Sequence, residues 1–191
     1  MVLFGRWFAD TVAAELYEPD AMVVTTVDRD RLPSSRFVLL KSVGASGFVF
    51  FTNYRSRKAG DIEASSLCAL VFPWYPLQRQ VRVEGIAERV SVAESDLYFA
   101  SRPRGSQLAA WASPQSSVVP DRAFLDREYE LAAQRWPLGT EVPRPEHWGG
   151  YRVVPLMIEF WQGRAQRMHD RIRYRRDHRD DSRWVRERLA P

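Results

Sequence analysis

Short runs of β-branched and aromatic residues, joined by tight turns, constrain the fold of this chain more than any other feature of its sequence. Segments 21–27, 34–41 and 48–53 concentrate such residues, and "DRDRLP" and "GASG" separate them. Short strands joined by short turns favour antiparallel pairing, so we expect these three to form a meander. Further strands are predicted from alternation or apolar runs at 67–74, 79–91 with a bulge at Gly85, 151–163 and 166–177.

Helices are predicted between these strands, but not in regular alternation with them. Apolar periodicity and end signals, with Ser56 as an N-cap and Pro103 as a stop, indicate helices at 3–17, 56–65, 92–103, 106–113 and 121–135. The irregular order argues against a doubly wound parallel sheet. We therefore expect a mainly β fold: a closed or nearly closed antiparallel barrel with flanking helices, in a single domain over residues 1–191.

Composition excludes several classes of protein. Hydrophobic residues make up 45% of the 191, which supports a folded core. No apolar run approaches the roughly 20 residues of a membrane span, and the first helix lacks the features of a signal peptide, so a cytoplasmic protein is expected. The single cysteine, Cys68, lies in the apolar run "LCALVF" and is predicted to be a buried, inert thiol.

The net charge of +4 points to a small anion at least as strongly as to nucleic acid. The basic residues are spread along the chain and interleaved with acids, and no nucleic-acid-binding motif is present. Only Lys41 and Lys58 among the 28 basic residues are lysines, which draws attention to both. We expect no nucleic acid and no membrane partner, and an anionic small molecule instead.

The sequence carries no signature of metal chemistry or of a covalent nucleophile. "GASG" lacks the spacing and the following helix of a dinucleotide-binding loop, and no nucleophile elbow is visible. His147, His169 and His178 are not spaced as metal ligands with Cys68. The chemistry must therefore come from scattered cations and hydroxyls, which suit the binding of phosphates rather than their hydrolysis.

Two segments near the first strands carry candidate anion-binding cations. In "RFVLLK", Arg36 and Lys41 point to opposite faces if the strand is regular, and could serve two different anions. In "TNYRSRKAGDIE", Arg57 and Lys58 fall in the first turn of a helix, where cations are unfavourable unless an anion binds there. The alternatives are a barrel strand with charged ends and a tolerated surface pair.

A third segment, "YFASRPRGSQLAAW", combines a phenol, a guanidinium and a hydroxyl. Tyr98 and Arg102 lie at i and i+4 on one helical face, and Ser106 follows just after the break at Pro103. These groups could grip a phosphate, or the arginines could simply cap the end of a helix. The polar loop "SPQSS" adds Gln115 and Ser116.

The fourth segment, "WQGRAQRMHDR", contains Trp161 before a turn at Gly163. In a strand, Arg167, His169 and Arg171 would share one face, and Asp170 would lie on the other as a structural residue. Such a row of cations is repulsive unless an anionic or electron-rich group faces it. A solvated, charged strand is the alternative.

Taken together, these segments resemble one family, the pyridoxine (pyridoxamine) 5′-phosphate oxidases. They follow the family's order and spacing from about Ala21 to Pro191, which is most of the chain. The matching motifs are "RFVLLK", "FFTNYRSRKA", "LVFPWYPLQRQVRVEG", "YFASRPRGSQLAAWASPQSS", "HWGGYRV", "IEFWQG", "RMHDRIRY" and "RLAP".

The resemblance implies a split-barrel FMN-binding fold and a homodimer with two FMN molecules at its subunit interface, with C-terminal dimerisation and active-site strands over about 150–191. Its implied FMN contacts are Arg36, Phe37, Val38, Leu39, Leu40, Lys41, Phe51, Thr52, Arg57, Lys58, Gln80, Gln115, Ser116, Trp161 and Arg171. The implied contacts to the substrate phosphate are Lys41, Tyr98, Arg102 and Ser106. Arg167 and His169 are the implied catalytic residues, placed against the reacting carbon of the substrate. The family often has tyrosine where Phe51 stands, so a hydroxyl contact is absent there.

The implied reaction is the oxidation of pyridoxamine or pyridoxine 5′-phosphate to pyridoxal 5′-phosphate, with O₂ as the electron acceptor and H₂O₂ as a product. A related flavin oxidase of the phenazine type and a non-catalytic module that binds flavin or pyridoxal phosphate are the alternatives. Family members usually carry a longer N-terminal segment that closes over the substrate, whereas this chain begins almost at its first helix. A different start codon and a form with a weaker lid are alternative explanations, and flavin binding is a firmer expectation than full activity.

Overall fold

The computed structural model describes residues 1–177 and 180–191, and the side chains in these ranges except those at 181 and 182. His178, one of the histidines considered as a metal ligand, lies outside the described residues. The strands are β1 (Ala21–Val27), β2 (Pro33–Leu39), β3 (Ser42–Gly44), β4 (Gly47–Asn53), β5 (Leu67–Trp74), β6 (Arg79–Arg89), β7 (Trp148–Gln162), β8 (Asp170–Asp177) and β9 (Asp180–Leu189). The helices are α1 (Val2–Ala13), α2 (Arg57–Ser65), α3 (Val92–Ser101), α4 (Arg104–Ala112) and α5 (Arg122–Arg135).

All strand pairs are antiparallel, in the order β2-β1-β5-β6-β7-β4-β3, with β8 and β9 added beside β7. The long strand β7 pairs with three other strands of this sheet. One of its edges pairs with β6, while the other pairs with β4 over its first half and with β8 over its second half. The predicted fold class is confirmed: the protein is mainly β, with a curled antiparallel sheet and helices packed against it.

A bulge between β6 and β7 lets the sheet bend near its middle. The register shifts between Glu84 and Gly85, as the sequence predicts. A Cβ added to Gly85 would lie 2.3 Å from the carbonyl oxygen of Val154, so no larger residue fits without displacing the backbone. The glycine thus permits the close approach that bends the two strands together.

Two hydrophobic clusters support the sheet. The larger lies between α1 and the strands, where Phe4 is fully buried and packs edge-on against Phe48 and Phe72. The smaller joins α3, α4 and α5 to the start of β7 through residues such as Phe99 and Trp148. None of the helices in the described ranges is long and apolar enough to cross a membrane.

Three predictions about the elements are wrong. Helix α1 ends at Ala13 instead of residue 17, because Glu15 takes a left-handed conformation; Leu16 still packs on the core and so continues the apolar pattern. Strand β4 pairs with β7 and β3 rather than with β2, so 21–53 is not a three-stranded meander. The strand predicted from residue 166 begins only at Asp170.

Candidate active site

A cavity of about 580 Å³ opens between β2, β4 and the helices α2, α3 and α4. Its volume lies in the range of small-molecule sites. Most of the cations and aromatics singled out in the sequence face it. The predicted residues that line it are Arg36, Phe37, Val38, Leu39, Lys41, Phe51, Thr52, Lys58, Tyr98, Arg102 and Gln115.

Lys58 is the most deeply buried cation of this cavity, with 8% of the residue exposed. Its ammonium donates to Thr52 Oγ1 at 3.1 Å, Ser56 Oγ at 3.3 Å and Gln115 Oε1 at 3.0 Å, and no carboxylate within the described ranges pairs with it. Burial, and secondly the charge of Arg36, lowers the pKa of Lys58 to about 8. A buried ammonium held only by neutral oxygens is a natural partner for an anionic ligand.

Ser56 is the N-cap residue of α2, as predicted, but its side chain makes no capping bond to the helix backbone. Its hydroxyl accepts from Lys58 instead. The helix therefore begins beside the cavity without a side-chain cap on its first N–H groups, which is an arrangement suited to an anion.

Arg102 forms a second cationic group at the other side of the cavity. Its guanidinium lies over the Trp148 ring, 4.5 Å from the centroid, and its buried Nη1 atom has no hydrogen-bond partner among the described residues. Burial lowers the pKa of Arg102. Tyr98 stacks on Phe51 with 4.0 Å between ring centroids, and Phe51 stacks in turn on Trp148, the ring that lies beneath the guanidinium.

Lys41 also lines this cavity, which corrects the expectation that Arg36 and Lys41 face opposite sides. Strand β2 ends at Leu39, so the alternation does not extend to Lys41. In the ligand-free protein the Lys41 ammonium pairs with Asp20 at 2.8 Å. A bound anion would have to share or replace this carboxylate.

A second cavity of about 530 Å³ holds another part of the predicted site. Gln80, Trp161 and His169 line it. The His169 ring lies against Trp161, with 4.7 Å between ring centroids, and its Nδ1 accepts from the backbone N–H of Arg164 at 3.2 Å. The remaining nitrogen, Nε2, is therefore the one available to a ligand.

The strand predicted to align Arg167, His169 and Arg171 does not exist over these residues. Arg167 lies in a 3₁₀ turn (Ala165–Arg167), is exposed and has a φ of 61°. Arg171 lies opposite Trp161 in the β7–β8 pair, and its Nε donates to buried Glu159 at 2.7 Å. Asp170 is structural, as expected, because it pairs with Arg164 and Arg188.

The two cavities share no lining residue and lie at opposite ends of β7. Trp148 at the first end lines the larger cavity, and Trp161 near the other end lines the smaller. At roughly 3.3 Å per residue, the two tryptophans are up to about 40 Å apart along the strand. One ligand is therefore not expected to contact both sets of residues within one protomer.

Some predicted residues lie outside both cavities. Leu40 is part of the core, and Arg57 is directed to Asp28 at 3.8 Å. Ser106, Ser116, Arg167 and Arg171 line neither cavity. Five residues that line the larger cavity were not predicted from the sequence. They are Asn53, Ala109, Ala110, Ser113 and Trp148. Of these, Trp148 alone has a signal, since it precedes the glycine pair of "HWGGYRV".

Family models match two parts of the chain. Residues 8–135 match the model described as pyridoxamine 5′-phosphate oxidase, and residues 148–191 match the pyridoxine 5′-phosphate oxidase C-terminal dimerisation region. The second match covers β7 to β9, and so includes Trp161 and His169 of the smaller cavity.

Curated relatives named pyridoxine/pyridoxamine 5′-phosphate oxidase are similar over nearly the whole chain. One from Salinispora arenicola is 54% identical, covering 98% of this chain and 84% of its own. One from Thermosynechococcus vestitus is 56% identical, covering 98% of this chain and 87% of its own. These names describe the relatives as oxidases of phosphate-bearing forms of vitamin B6, and they support an oxidoreductase.

Solved structures agree in fold. PhzG from Burkholderia lata 383, in complex with tetrahydrophenazine-1-carboxylic acid, superposes with a TM-score of 0.92 at 30% identity, covering 100% of this chain and 91% of its own. A pyridoxamine 5′-phosphate oxidase-related, FMN-binding protein from Nostoc punctiforme has a TM-score of 0.76 at 14% identity, covering 97% and 96%. From the family models and the curated relatives, we conclude that this chain belongs to the pyridoxamine 5′-phosphate oxidase family.

Proposed function

We propose that this protein oxidises pyridoxamine 5′-phosphate and pyridoxine 5′-phosphate to pyridoxal 5′-phosphate with FMN as cofactor. O₂ accepts the electrons and leaves as H₂O₂; the amine substrate also consumes water and releases ammonia. The observation that carries the proposal is the cavity with two cationic groups, the buried Lys58 and the half-buried Arg102, that lack carboxylate partners among the described residues. Two separate phosphates, one on the cofactor and one on the substrate, account for both.

The residues around Lys58 fit the phosphate of FMN. Lys58 and Arg36 supply positive charge, while Thr52 and Gln115 supply polar side chains beside the ammonium. Arg57, which is directed to Asp28, would add only long-range attraction unless it changes rotamer. Bound FMN would supply the acceptor for the two electrons that leave the C4′ carbon of the substrate.

The residues around Arg102 fit the phosphate of the substrate. The free Nη1 of Arg102 and the phenol of Tyr98 would bind it, and Lys41 would join them by leaving Asp20. Ser106, near the start of α4, does not line the cavity and would need to turn toward the anion. Holding the phosphate fixes the rest of the substrate and so orients C4′ for oxidation.

We assign binding and catalytic roles to the smaller cavity as well. Trp161 and Gln80 would contact the cofactor from the smaller cavity, and Arg171, which lies opposite Trp161 on β8 but does not line this cavity, would contact it as well. His169 would orient the substrate through Nε2 or assist the loss of its proton. Arg167 would position the substrate from the exposed turn that it occupies in the free protein. A positioned acid–base group contributes about 10²–10⁴-fold to a rate.

A homodimer would bring the two cavities together across its interface. The separation of Trp148 and Trp161 along β7 supports this arrangement, as does the match of 148–191 to a dimerisation region. In a two-fold symmetric dimer, the larger cavity of one protomer would face the smaller cavity of its partner, twice. A single domain over 1–191 and a cytoplasmic location complete the proposal.

A phenazine-type substrate is the second candidate, favoured by the similarity to PhzG at a TM-score of 0.92. The curated relatives are 52–56% identical, against 30% for PhzG, which favours the vitamin B6 substrates. The cations around Arg102 also favour a phosphorylated substrate. A non-catalytic flavin-binding module is the third possibility.

Anaerobic reduction distinguishes the three. The purified protein is loaded with FMN, and pyridoxamine 5′-phosphate is added without oxygen. We expect the yellow flavin absorbance to bleach and pyridoxal 5′-phosphate to form, and air to restore the colour. Bleaching by a reduced phenazine precursor alone would favour the second candidate, and a stable yellow spectrum with both compounds would favour the third.

Unphosphorylated pyridoxamine is the matched control. Without a phosphate it cannot use Arg102, Tyr98 and Lys41, so it should bleach the flavin far more slowly at equal concentration. Equal rates for the two amines would remove the phosphate from substrate recognition and contradict the role given to these residues.

A further inference from the structure

Thr26 connects a buried acid to a cation of the larger cavity without touching the cavity itself. It lies on β1, is fully buried, and is absent from the cavity lining. Its hydroxyl donates to Asp61 Oδ2 at 2.6 Å and accepts from Arg36 Nη1 at 2.7 Å. A single hydroxyl thus stands between a carboxylate and a guanidinium.

Arg36 lines the cavity, and its hydrogen bonds leave part of its guanidinium without a partner among the described residues. Nη1 donates to Thr26 and, at 3.4 Å, to the carbonyl of Val24, while Nη2 donates to Ser34 Oγ at 2.7 Å. A guanidinium has five N–H groups. The Nε–H and one N–H of Nη2 therefore have no partner among the described residues, and an anion could use both.

Asp61 would be a strong competitor for those free N–H groups. It is buried, with 6% of the residue exposed, and its Oδ2 lies 3.8 Å from Arg36 Nη2, beyond hydrogen-bonding distance. A carboxylate and a guanidinium in partly buried surroundings favour a direct, bidentate pair. The Thr26 hydroxyl prevents this, because it donates to Asp61 Oδ2 and accepts from Arg36 Nη1, and so lies between the two charged groups.

We propose that Thr26, with Asp61 behind it, is a positioning residue that keeps the Arg36 guanidinium available to the phosphate of FMN. Thr26 does not contact the ligand; it holds Arg36 at hydrogen-bond distance from its own hydroxyl and away from Asp61. The inference rests on the proposed function, since it assumes that FMN is the anion bound beside Arg36 and Lys58.

The test compares FMN with riboflavin, which has the same ring system but no phosphate. Flavin-free protein is titrated with each compound, and quenching of flavin fluorescence gives the Kd. A hydrogen bond to a charged group contributes enough for about a tenfold change in affinity. In Thr26→Val we therefore expect the Kd for FMN to rise roughly tenfold and the Kd for riboflavin to change less than about twofold.

Two further substitutions separate positioning from general damage to the fold. Thr26→Ser restores a hydroxyl and should return the Kd for FMN to within about threefold of the wild-type value. Thr25→Val makes the same change on the neighbouring residue, whose hydroxyl bonds to Ser35 on the other face of β1, and should leave both Kd values unchanged.

If Thr26→Val does not fold, Thr26→Ala takes its place, since it also removes the hydroxyl between Asp61 and Arg36. An unchanged Kd for FMN, or an equal loss for FMN and riboflavin, overturns the positioning role. A wild-type protein that binds neither flavin overturns the proposed function and the inference with it. If the wild type prefers FMN to riboflavin and the protein without the Thr26 hydroxyl keeps that preference, the inference alone is overturned.

Discussion

At the scale of single residues, the rare lysines mark the larger cavity. Lys41 and Lys58 are the only lysines among 28 basic residues, and both line it. Arg57 does not, although it precedes Lys58 directly. Neighbouring residues on a helix differ by about 100° in direction, so both cannot face one cavity. Trp148 could not be assigned from its residue type alone, since a tryptophan at the start of a strand usually belongs to the core.

The lowered pKa of Lys58 predicts a pH-dependent affinity for FMN. Burial and the charge of Arg36 bring this pKa to about 8, from 10.5 in an unfolded chain. The FMN phosphate requires the protonated ammonium, which the free protein loses as the pH rises through about 8. We expect the Kd for FMN to increase about thirtyfold between pH 7 and pH 9.5, measured by fluorescence titration.

Lys58→Arg is the matched control, because arginine keeps its charge over this range and should flatten the profile. The stability of the ligand-free protein should follow the opposite trend. Between pH 8 and 10.5 the unfolded chain holds a proton that folded Lys58 has lost, so this group's contribution to the free energy of unfolding rises with pH. A Kd for FMN that is independent of pH in the wild type would mean that Lys58 does not meet the phosphate.

At the scale of elements, local signals predict the strands well and their partners poorly. The bounds of β1 and β5 match the prediction, and the bulge at Gly85 was expected from a glycine within an alternating strand. The pairing of β4 with β7 joins segments about a hundred residues apart, and nothing local encodes it. The turn before Asp170 was not predicted, because Arg167, His169 and Arg171 alternate with other residues in the way that is typical of a strand.

A glycine substitution in β6 tests the packing of this strand against β7. In Gly85→Ala the new Cβ would meet the Val154 carbonyl oxygen at 2.3 Å, so the strands must move apart. We expect the free energy of unfolding to fall by about 1–3 kcal/mol, as measured by chemical denaturation.

Gly5→Ala is the control. Gly5 lies within α1, and a Cβ there meets nothing within 4 Å, so this change should raise the free energy of unfolding by up to about 1 kcal/mol. A Gly85→Ala protein as stable as the wild type would show that the bulge tolerates a side chain, contrary to the contact at Val154.

At the scale of the whole molecule, the predicted site residues fall into two groups that one protomer keeps apart. The family resemblance implies two FMN molecules at the interface of a homodimer, but it does not say which protomer supplies each contact. The larger cavity lies toward Trp148 at one end of β7, and the smaller lies toward Trp161 near the other end. The sequence could not reveal this division, because spacing along a chain does not say which protomer completes a site. In the symmetric dimer that we propose, each larger cavity would join the smaller cavity of the partner.

Mixed dimers test this account most directly. Chains carrying Arg102→Ala in the larger cavity and chains carrying His169→Ala in the smaller one are co-expressed with different tags, and the heterodimer is purified. One of its two sites then carries both substitutions, while the other carries neither. We expect each parent homodimer to form pyridoxal 5′-phosphate slowly and the heterodimer to recover about half of the wild-type rate. A heterodimer as slow as its parents would show that the two cavities do not form one site across the interface.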